Sequence, residues 1–120
     1  MSSNPRLLEL LRLANIARTK EYLVDGDGNP VELDPNFRAL ELLGEKGEVF
    51  NELKKLQRHK LGLAGGKSTT DDLAEELADV VISIDEIAMD HGINLRKAIV
   101  DKFNKTSTKL DLETKMEPPC

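Results

Sequence analysis

Aromatic residues are scarce in this 120-residue chain, which has three phenylalanines, one tyrosine and no tryptophan. Aliphatic side chains must therefore fill most of any core. A chain of this length suits a single domain, spanning 1–120. So small a domain buries a limited share of its surface, which favours association with further copies of itself.

Basic residues are also in the minority, since 17 lysines and arginines stand against 22 acids and the net charge is −5. Binding along a nucleic acid needs a basic surface that displaces counterions from the phosphates. We therefore expect no nucleic-acid partner. An acidic protein that acts on phosphates needs metal cations between its own carboxylates and the substrate.

Cysteines and long apolar runs are scarce as well. Cys120 is the single cysteine, so no intramolecular disulfide forms and a reducing compartment is expected. Charged residues interrupt the segment 1–20, and it resembles neither a signal peptide nor a membrane span of about 20 apolar residues. The sequence therefore predicts a cytoplasmic protein with no membrane partner.

Four helices are predicted from apolar periodicity and from start and stop signals. They cover about 5–21, 35–60, 70–91 and 95–109. Asn4–Pro5 and Asp34–Pro35 each combine a capping side chain with a proline at the first helical position. The segment VDGDGNP breaks the chain after the first helix, and a short hairpin over 22–33 is compatible with it. Residues from about 110 to 120 are expected to form a flexible tail.

Each predicted helix has one apolar stripe, which another helix must cover. In the second helix the stripe consists of Leu42, Leu43, Val49, Phe50, Leu53 and Leu56. Gly47 lies in the same helix, where glycine costs about 1 kcal/mol relative to alanine, and this predicts close approach of another helix or a ligand. The fold class is therefore all-α, a helical bundle formed within one chain or shared between chains.

Acidic residues form a strip along each of two helices. Glu41, Glu45, Glu48 and Glu52 lie on the second helix, and Asp72, Glu76 and Asp79 lie on the third. Spacings of three and four place each strip on one side of its helix, beside the apolar stripe. If the two apolar faces pack together, both acidic strips meet at the rim of one groove.

Carboxylates held this close repel one another unless protons or cations lie between them. Oxygen ligands favour magnesium or manganese, which can bridge a polyphosphate and activate a water for in-line attack. The alternative is that both strips are ordinary solvated helix faces, and spacing alone leaves it open. The position beside the core and the lack of lysines four residues further on favour the metal site.

The stretches GEKGEVFNELKKL, LAEELADVVISIDEIAMDHGINL and KFNKTSTK resemble the MazG-like nucleoside triphosphate pyrophosphohydrolases, over about 38–109. The family pattern is ExxE, a spacer and then ExxD. Glu45 and Glu48 match its first half, and Glu76 and Asp79 match its second. The chain departs from the pattern in reading EKGE where many relatives read EExGE. It also lacks the tryptophan that relatives often use to stack a base.

The resemblance implies an all-α four-helix bundle of the MazG type, completed by assembly into a homodimer or homotetramer. It further implies hydrolysis of a nucleoside triphosphate to the monophosphate and pyrophosphate by a metal-activated water. Glu45, Glu48, Glu76 and Asp79 would be the catalytic and metal-binding residues. The cofactor would be Mg²⁺, for which Mn²⁺ could substitute.

Four further residues are predicted to contact the substrate. The resemblance near KFNK implies that Lys102 and Asn104 contact phosphate or sugar, unless they are simply part of an exposed helix end. Lys67 would touch a phosphate across the groove, unless its glycine-rich loop is only a connector. Tyr22 would replace the missing tryptophan as a stacking group, although a core position is the commoner role of an aromatic residue.

Two alternative functions remain open at this point. Phosphoribosyl-ATP pyrophosphohydrolase would use the same metal chemistry on a different nucleotide, although the long first helix and the loop after it favour the MazG-like type. A non-catalytic helical oligomerisation module is the other alternative. Such a scaffold would have no use for a cluster of mutually repelling acids.

Overall fold

The computed structural model describes residues 6–116, in which four helices are joined by turns and loops that contain one isolated β-bridge. Its helices are α1 (Leu7–Tyr22), α2 (Pro35–Lys60), α3 (Thr70–Asp90) and α4 (Leu95–Lys109). The predicted all-α class is confirmed for residues 6–116. The start signal at Asn4–Pro5 lies outside the described residues.

Capping groups set the starts of the later helices. Asp34 accepts a backbone hydrogen bond at 2.7 Å, and Pro35 occupies the first position of α2. Thr69 and Asp72 form a reciprocal capping box at the start of α3. Asn94 accepts a backbone hydrogen bond at 3.1 Å at the start of α4. The helix boundaries therefore follow from local chemistry that the sequence displays.

The connection between α1 and α2 is a turn with a single antiparallel bridge, between Val24 and Pro30. The carboxylate of Asp25 organises it by accepting hydrogen bonds from the N–H groups of Asp27 and Asn29, at 2.9 and 3.0 Å. The Leu23 N–H donates to Thr19 in the last turn of α1 and not across the turn, so the ladder does not extend beyond this bridge. No named strand forms over 22–33, and the segment is a compact turn.

Helices α2 and α3 form an antiparallel pair, which sets the register of the two acidic strips. Near the start of α2, Arg38 donates to Glu86 at 2.7 Å and to Asp90 at 3.1 Å, both near the end of α3. At the other end of the pair, the Ser68 hydroxyl donates to Glu52. The middle of α2 therefore lies level with the middle of α3.

A buried polar network attaches α1 to α3. Asp85 is 1% exposed and Asn15 is 2% exposed. The Arg12 guanidinium donates to both oxygens of Asp85 at 3.1 to 3.3 Å, and Asn15 donates to the same carboxylate at 2.9 Å. A buried carboxylate is tolerated when charged and amide donors satisfy it. This network fixes α1 along the pair that carries the acidic strips.

The chain is open and leaves much of its apolar surface in water. Among residues 6–116 the buried apolar side chains are Val49, Ala88 and Val100. The radius of gyration is 18.3 Å, compared with about 14 Å for a compact domain of this length. Helix α4 packs against α1. Within the described part of the chain, no helix has both the length and the apolarity that a membrane span requires.

Candidate metal centre

Four carboxylates meet on one side of the α2–α3 pair. Glu45 and Glu48 come from α2, Glu76 and Asp79 come from α3, and one oxygen from each lies within 4.8 Å of the other three. A spacing of three residues holds each pair on one side of its helix, and the antiparallel register brings the two pairs level. The structure thus brings together the four acids that the sequence singled out.

The other acids of the two strips have partners of their own. Glu41 accepts from Arg38 at 3.2 Å, and Glu52 accepts from Lys55 at 3.3 Å. Asp72 is held in the capping box of α3. In contrast, the central four form no ion pair with any residue of 6–116. The uncompensated charge is therefore concentrated on this quartet.

Two oxygens of the quartet are shielded from solvent and lack a hydrogen-bond partner. They are Oε2 of Glu45 and Oε2 of Glu76. A carboxylate oxygen removed from water without a donor is unfavourable and is rare in folded proteins. A cation between the two helices would satisfy both oxygens, and this observation favours a ligand over a plain solvated surface.

Two members of the quartet have raised pKa values. The pKa of Glu76 is raised to about 7, first by a hydrogen bond with Glu48, then by burial and by the charges of Glu48, Asp79 and Glu45. Two carboxyl groups form such a bond only when one of them holds a proton. Burial raises the pKa of Glu45, and the charges of Asp79 and Glu48 raise it further. Near neutral pH the quartet therefore retains a proton unless a cation displaces it.

The donor set fits a hard divalent cation. All four ligands are carboxylate oxygens, with no histidine or cysteine among them, which disfavours zinc and copper. Opposite oxygens around a six-coordinate magnesium ion lie about 4.2 Å apart. The observed limit of 4.8 Å is close to that value, so small side-chain rotations would bring the oxygens into coordination.

Lys67 lies at one end of the acidic groove. It is in the loop between α2 and α3, next to Ser68, whose hydroxyl donates to Glu52. Glu52 is one helical turn beyond Glu48, so the loop closes the groove at this end. Lys67 is exposed.

Tyr22 lies towards the opposite end. It is the last residue of α1 and is 72% exposed, so it is not part of a core in this chain. It lines a cavity of about 220 Å³ between α1, α2 and α3, together with Arg18, Glu41 and Glu86. Glu41 is one turn before Glu45, which places the cavity beside the quartet.

Lys102 and Asn104 lie on α4, whose packing partner is α1. Neither forms a hydrogen bond or ion pair with the quartet within residues 6–116. The side-chain amide of Asn104 donates to the carbonyl of Met116 at 2.8 Å and accepts from its N–H at 2.6 Å. The oxygen and the nitrogen of this side-chain amide are therefore both hydrogen-bonded to the segment after α4.

Arg18 and Glu86 also line the cavity, although the sequence patterns did not indicate them as site residues. Glu86 follows Asp79 by seven residues, so it lies two turns along the same side of α3, and extending the acidic strip would have found it. Arg18 reaches the cavity only because the buried network places α1 against α3. That contact is long-range and has no local signal.

No family model matches the chain, and no solved structure matches it. The Gene 37 protein of Mycobacterium phage L5 is 30% identical over 93 residues, which cover 78% of this chain and 80% of that protein. Its name designates a gene and states no activity.

Proposed function

The chain belongs to the same family as the Gene 37 protein of Mycobacterium phage L5, and we propose that it is a magnesium-dependent nucleoside triphosphate pyrophosphohydrolase of the MazG type. The observation that supports this proposal is the quartet of Glu45, Glu48, Glu76 and Asp79, whose oxygens converge within 4.8 Å. Two of these oxygens are shielded and unpaired. The same four residues carry the ExxE and ExxD resemblance.

In this proposal the quartet holds magnesium, with manganese as a substitute. Once bound, the cation would neutralise the polyphosphate and activate a water for attack on it. The α2–α3 pair keeps the four carboxylates in position, so little rearrangement is needed when substrate arrives. The bond broken is the one between the first and second phosphates, and the products are the monophosphate and pyrophosphate.

Lys67 is proposed to contact the distal phosphates, because its loop closes one end of the groove. Tyr22 is proposed to stack on the base at the other end. Lys102 lies on the helix that packs on α1 and remains a predicted contact to phosphate or sugar. Asn104 would have to release Met116 before it could contact a substrate.

The bundle is proposed to be completed by another copy, in a homodimer or homotetramer. Leu43 and Phe50 on α2 are 67% and 65% exposed. Each is two residues from a glutamate of the quartet, so it lies on the opposite side of α2. Leu77 and Val81 are exposed on α3 and are each two residues from Asp79. This apolar face is therefore turned away from the carboxylates.

A second copy of the chain is the proposed cover for this apolar face. Monomeric proteins rarely expose a large continuous apolar surface, and these side chains of α2 and α3 are exposed in the single chain. A Cβ built at Gly47 meets no atom within 4 Å, so the close approach predicted there is not found among residues 6–116 of one chain. Gly47 also lies on the side of α2 away from Glu45, where a partner helix would approach.

The deciding experiment is hydrolysis of phosphoribosyl-ATP and of a panel of ribo- and deoxyribonucleoside triphosphates with Mg²⁺, with monophosphate and pyrophosphate both quantified. Glu48→Gln and Asp79→Asn should lower kcat/KM by about 100-fold or more, which is the usual effect of removing a group that stabilises charge at the reacting centre. Glu75→Gln is the matched control, because Glu75 is exposed and lies outside the quartet.

Three outcomes would contradict the proposal. Release of orthophosphate and a diphosphate would show that another bond is cut. Turnover confined to phosphoribosyl-ATP would favour that alternative activity. An inactive but oligomeric protein, with Mg²⁺ and with Mn²⁺, would favour the oligomerisation module.

A further inference from the structure

The cavity between α1, α2 and α3 continues the groove that contains the quartet. It measures about 220 Å³ and is lined by Tyr22 from α1, Glu41 from α2 and Glu86 from α3. Glu41 and Glu86 are close enough to Glu45 for their charges to add to its raised pKa. A molecule held at the quartet can therefore extend into the cavity.

The charges around the cavity suit the uncharged end of a nucleotide. Arg38 is compensated by Glu41, Glu86 and Asp90, at 3.2, 2.7 and 3.1 Å. Carboxylates in the wall repel phosphate oxygens. At the opposite end of the groove, the loop with Lys67 offers a cation with no carboxylate bound to it. The nucleoside is therefore expected at the cavity and the phosphates towards the loop.

We infer that Glu41 and Glu86 select nucleobases that carry an amino group, an inference that rests on the proposed function. Arg38 holds one oxygen of each carboxylate, Oε1 of Glu41 and Oε2 of Glu86. The second oxygen of each accepts no hydrogen bond within residues 6–116, so it remains available as an acceptor. Carboxylates accept hydrogen bonds and cannot donate them when ionised.

The edges of the bases differ in what they offer these acceptors. Adenine and cytosine each present an amino group, and guanine presents an amino group next to a ring N–H, which matches the two oxygens of a carboxylate. Uracil and thymine present a ring N–H flanked by two carbonyl oxygens, and those oxygens repel a carboxylate. Carboxylate side chains are known to read amino groups on bases in this way.

Tyr22 and Arg18 complete the cavity. The exposed ring of Tyr22 can cover one face of a base without favouring any base, because every base has a π-face. Arg18 has no hydrogen-bond or ion-pair partner in the described part of the chain. Burial raises the pKa of Glu86, while the charges of Arg38 and Arg18 lower it. The pKa of Glu86 stays raised on balance, and the two arginines limit that rise.

The test compares kcat/KM for ATP, GTP and CTP with kcat/KM for UTP and dTTP, in the wild type and in Glu41→Gln. Wild type should prefer the amino-bearing bases by about tenfold or more. Glu41→Gln adds a donor at the same position and should reduce this preference several-fold without abolishing turnover. Glu86→Gln gives a second test of the same wall, and Glu75→Gln is the control in which the preference should not change.

Binding of nucleoside monophosphates tests base selection without requiring hydrolysis. In calorimetry with Mg²⁺, GMP and CMP should bind more tightly than UMP, and Glu41→Gln should narrow the difference. Equal turnover of all bases, or faster turnover of UTP, would overturn base selection and leave the hydrolase intact. Selective binding without any hydrolysis would support base selection and overturn the hydrolase. A lack of both binding and turnover would overturn both.

Discussion

Glu48 and Glu76 face each other from two antiparallel helices, close enough to share a hydrogen bond, and this contact is the largest cause of a Glu76 pKa of about 7. The bond exists only while one carboxyl group is protonated. A proton and a divalent cation therefore compete for the same oxygens. Both the pH dependence and the metal dependence of the protein should follow from this competition.

The metal-free protein should become less stable as the pH rises from about 4.5 through about 7. The pKa of Glu76 is higher in the folded chain than its ordinary value of 4.5, so in this interval the folded state binds more protons than the unfolded state. Linkage then makes the free energy of unfolding fall with rising pH until Glu76 is ionised in both states. Thermal unfolding in EDTA over a series of pH values measures the slope.

Glu76→Gln isolates this effect, because glutamine resembles the protonated acid and cannot ionise. In this variant the free energy of unfolding should fall less steeply between pH 4.5 and 7 than in the wild type. In Glu75→Gln, at the exposed neighbouring position, it should fall as in the wild type. Equal slopes in the wild type and in Glu76→Gln would show that the close contact with Glu48 does not exist in solution.

Magnesium should stabilise the folded protein, and more strongly at pH 8 than at pH 6, since the shared proton must leave before the cation binds. At a Mg²⁺ concentration about 100-fold above its Kd, the gain in the free energy of unfolding is about 2.7 kcal/mol. Glu48→Gln should behave in the opposite way. It should be more stable than the wild type in EDTA, because repulsion is removed, and should show little response to Mg²⁺. If the wild type also failed to respond, the quartet would be a plain acidic surface.

The two acidic strips were predictable because they rest on local rules. A spacing of three residues places Glu45 with Glu48, and Glu76 with Asp79, on one side of their helices whatever the rest of the fold does. The antiparallel register follows from the short loop between α2 and α3. Spacing placed seven acids on the two strips, and the resemblance to the ExxE and ExxD pattern singled out the four that the structure brings together.

The cavity was not predictable, because it depends on where α1 lies. The contact of Arg12 and Asn15 with Asp85 joins positions 70 or more residues apart, and nothing in the local pattern specifies it.

The apolar stripe of α2 shows a second limit of prediction from the sequence. Periodicity predicted that Val49 and Phe50 are both buried. In the structure Val49 is buried, whereas Phe50 is 65% exposed. Periodicity shows which side chains need a partner and does not show which partner they have.

Gly66 holds the loop with Lys67 against the end of α2. A Cβ at this position would overlap the backbone nitrogen of His59 and lie 2.8 Å from the carbonyl carbon of Arg58. Because backbone atoms of a helix cannot give way without disrupting it, Gly66→Ala should lower the free energy of unfolding by about 1–3 kcal/mol. Denaturant unfolding measures this change.

The control for Gly66→Ala is Gly26→Ala, where a Cβ meets nothing within 4 Å, and it should change stability by about 0.5 kcal/mol or less. If the two variants were equally stable, the loop would not lie against α2 in solution. Lys67 would then lose its fixed place at the end of the groove.

The exposed apolar face of α2 and α3 should be an interface between copies of the chain. Phe50→Lys should convert the oligomer to a monomer, since burying an unpaired ammonium group between helices is strongly unfavourable. The monomer should stay folded, because Phe50 is already mostly exposed in the single chain. Sedimentation velocity measures the mass of the assembly, and circular dichroism measures the helix content.

Leu63→Lys is the matched control, because Leu63 is similarly exposed but lies in the loop after α2. This variant should leave the mass of the assembly unchanged. A wild-type protein that sediments as a monomer at all concentrations would show that this face has no partner copy, and the bundle would then have to be completed by another protein.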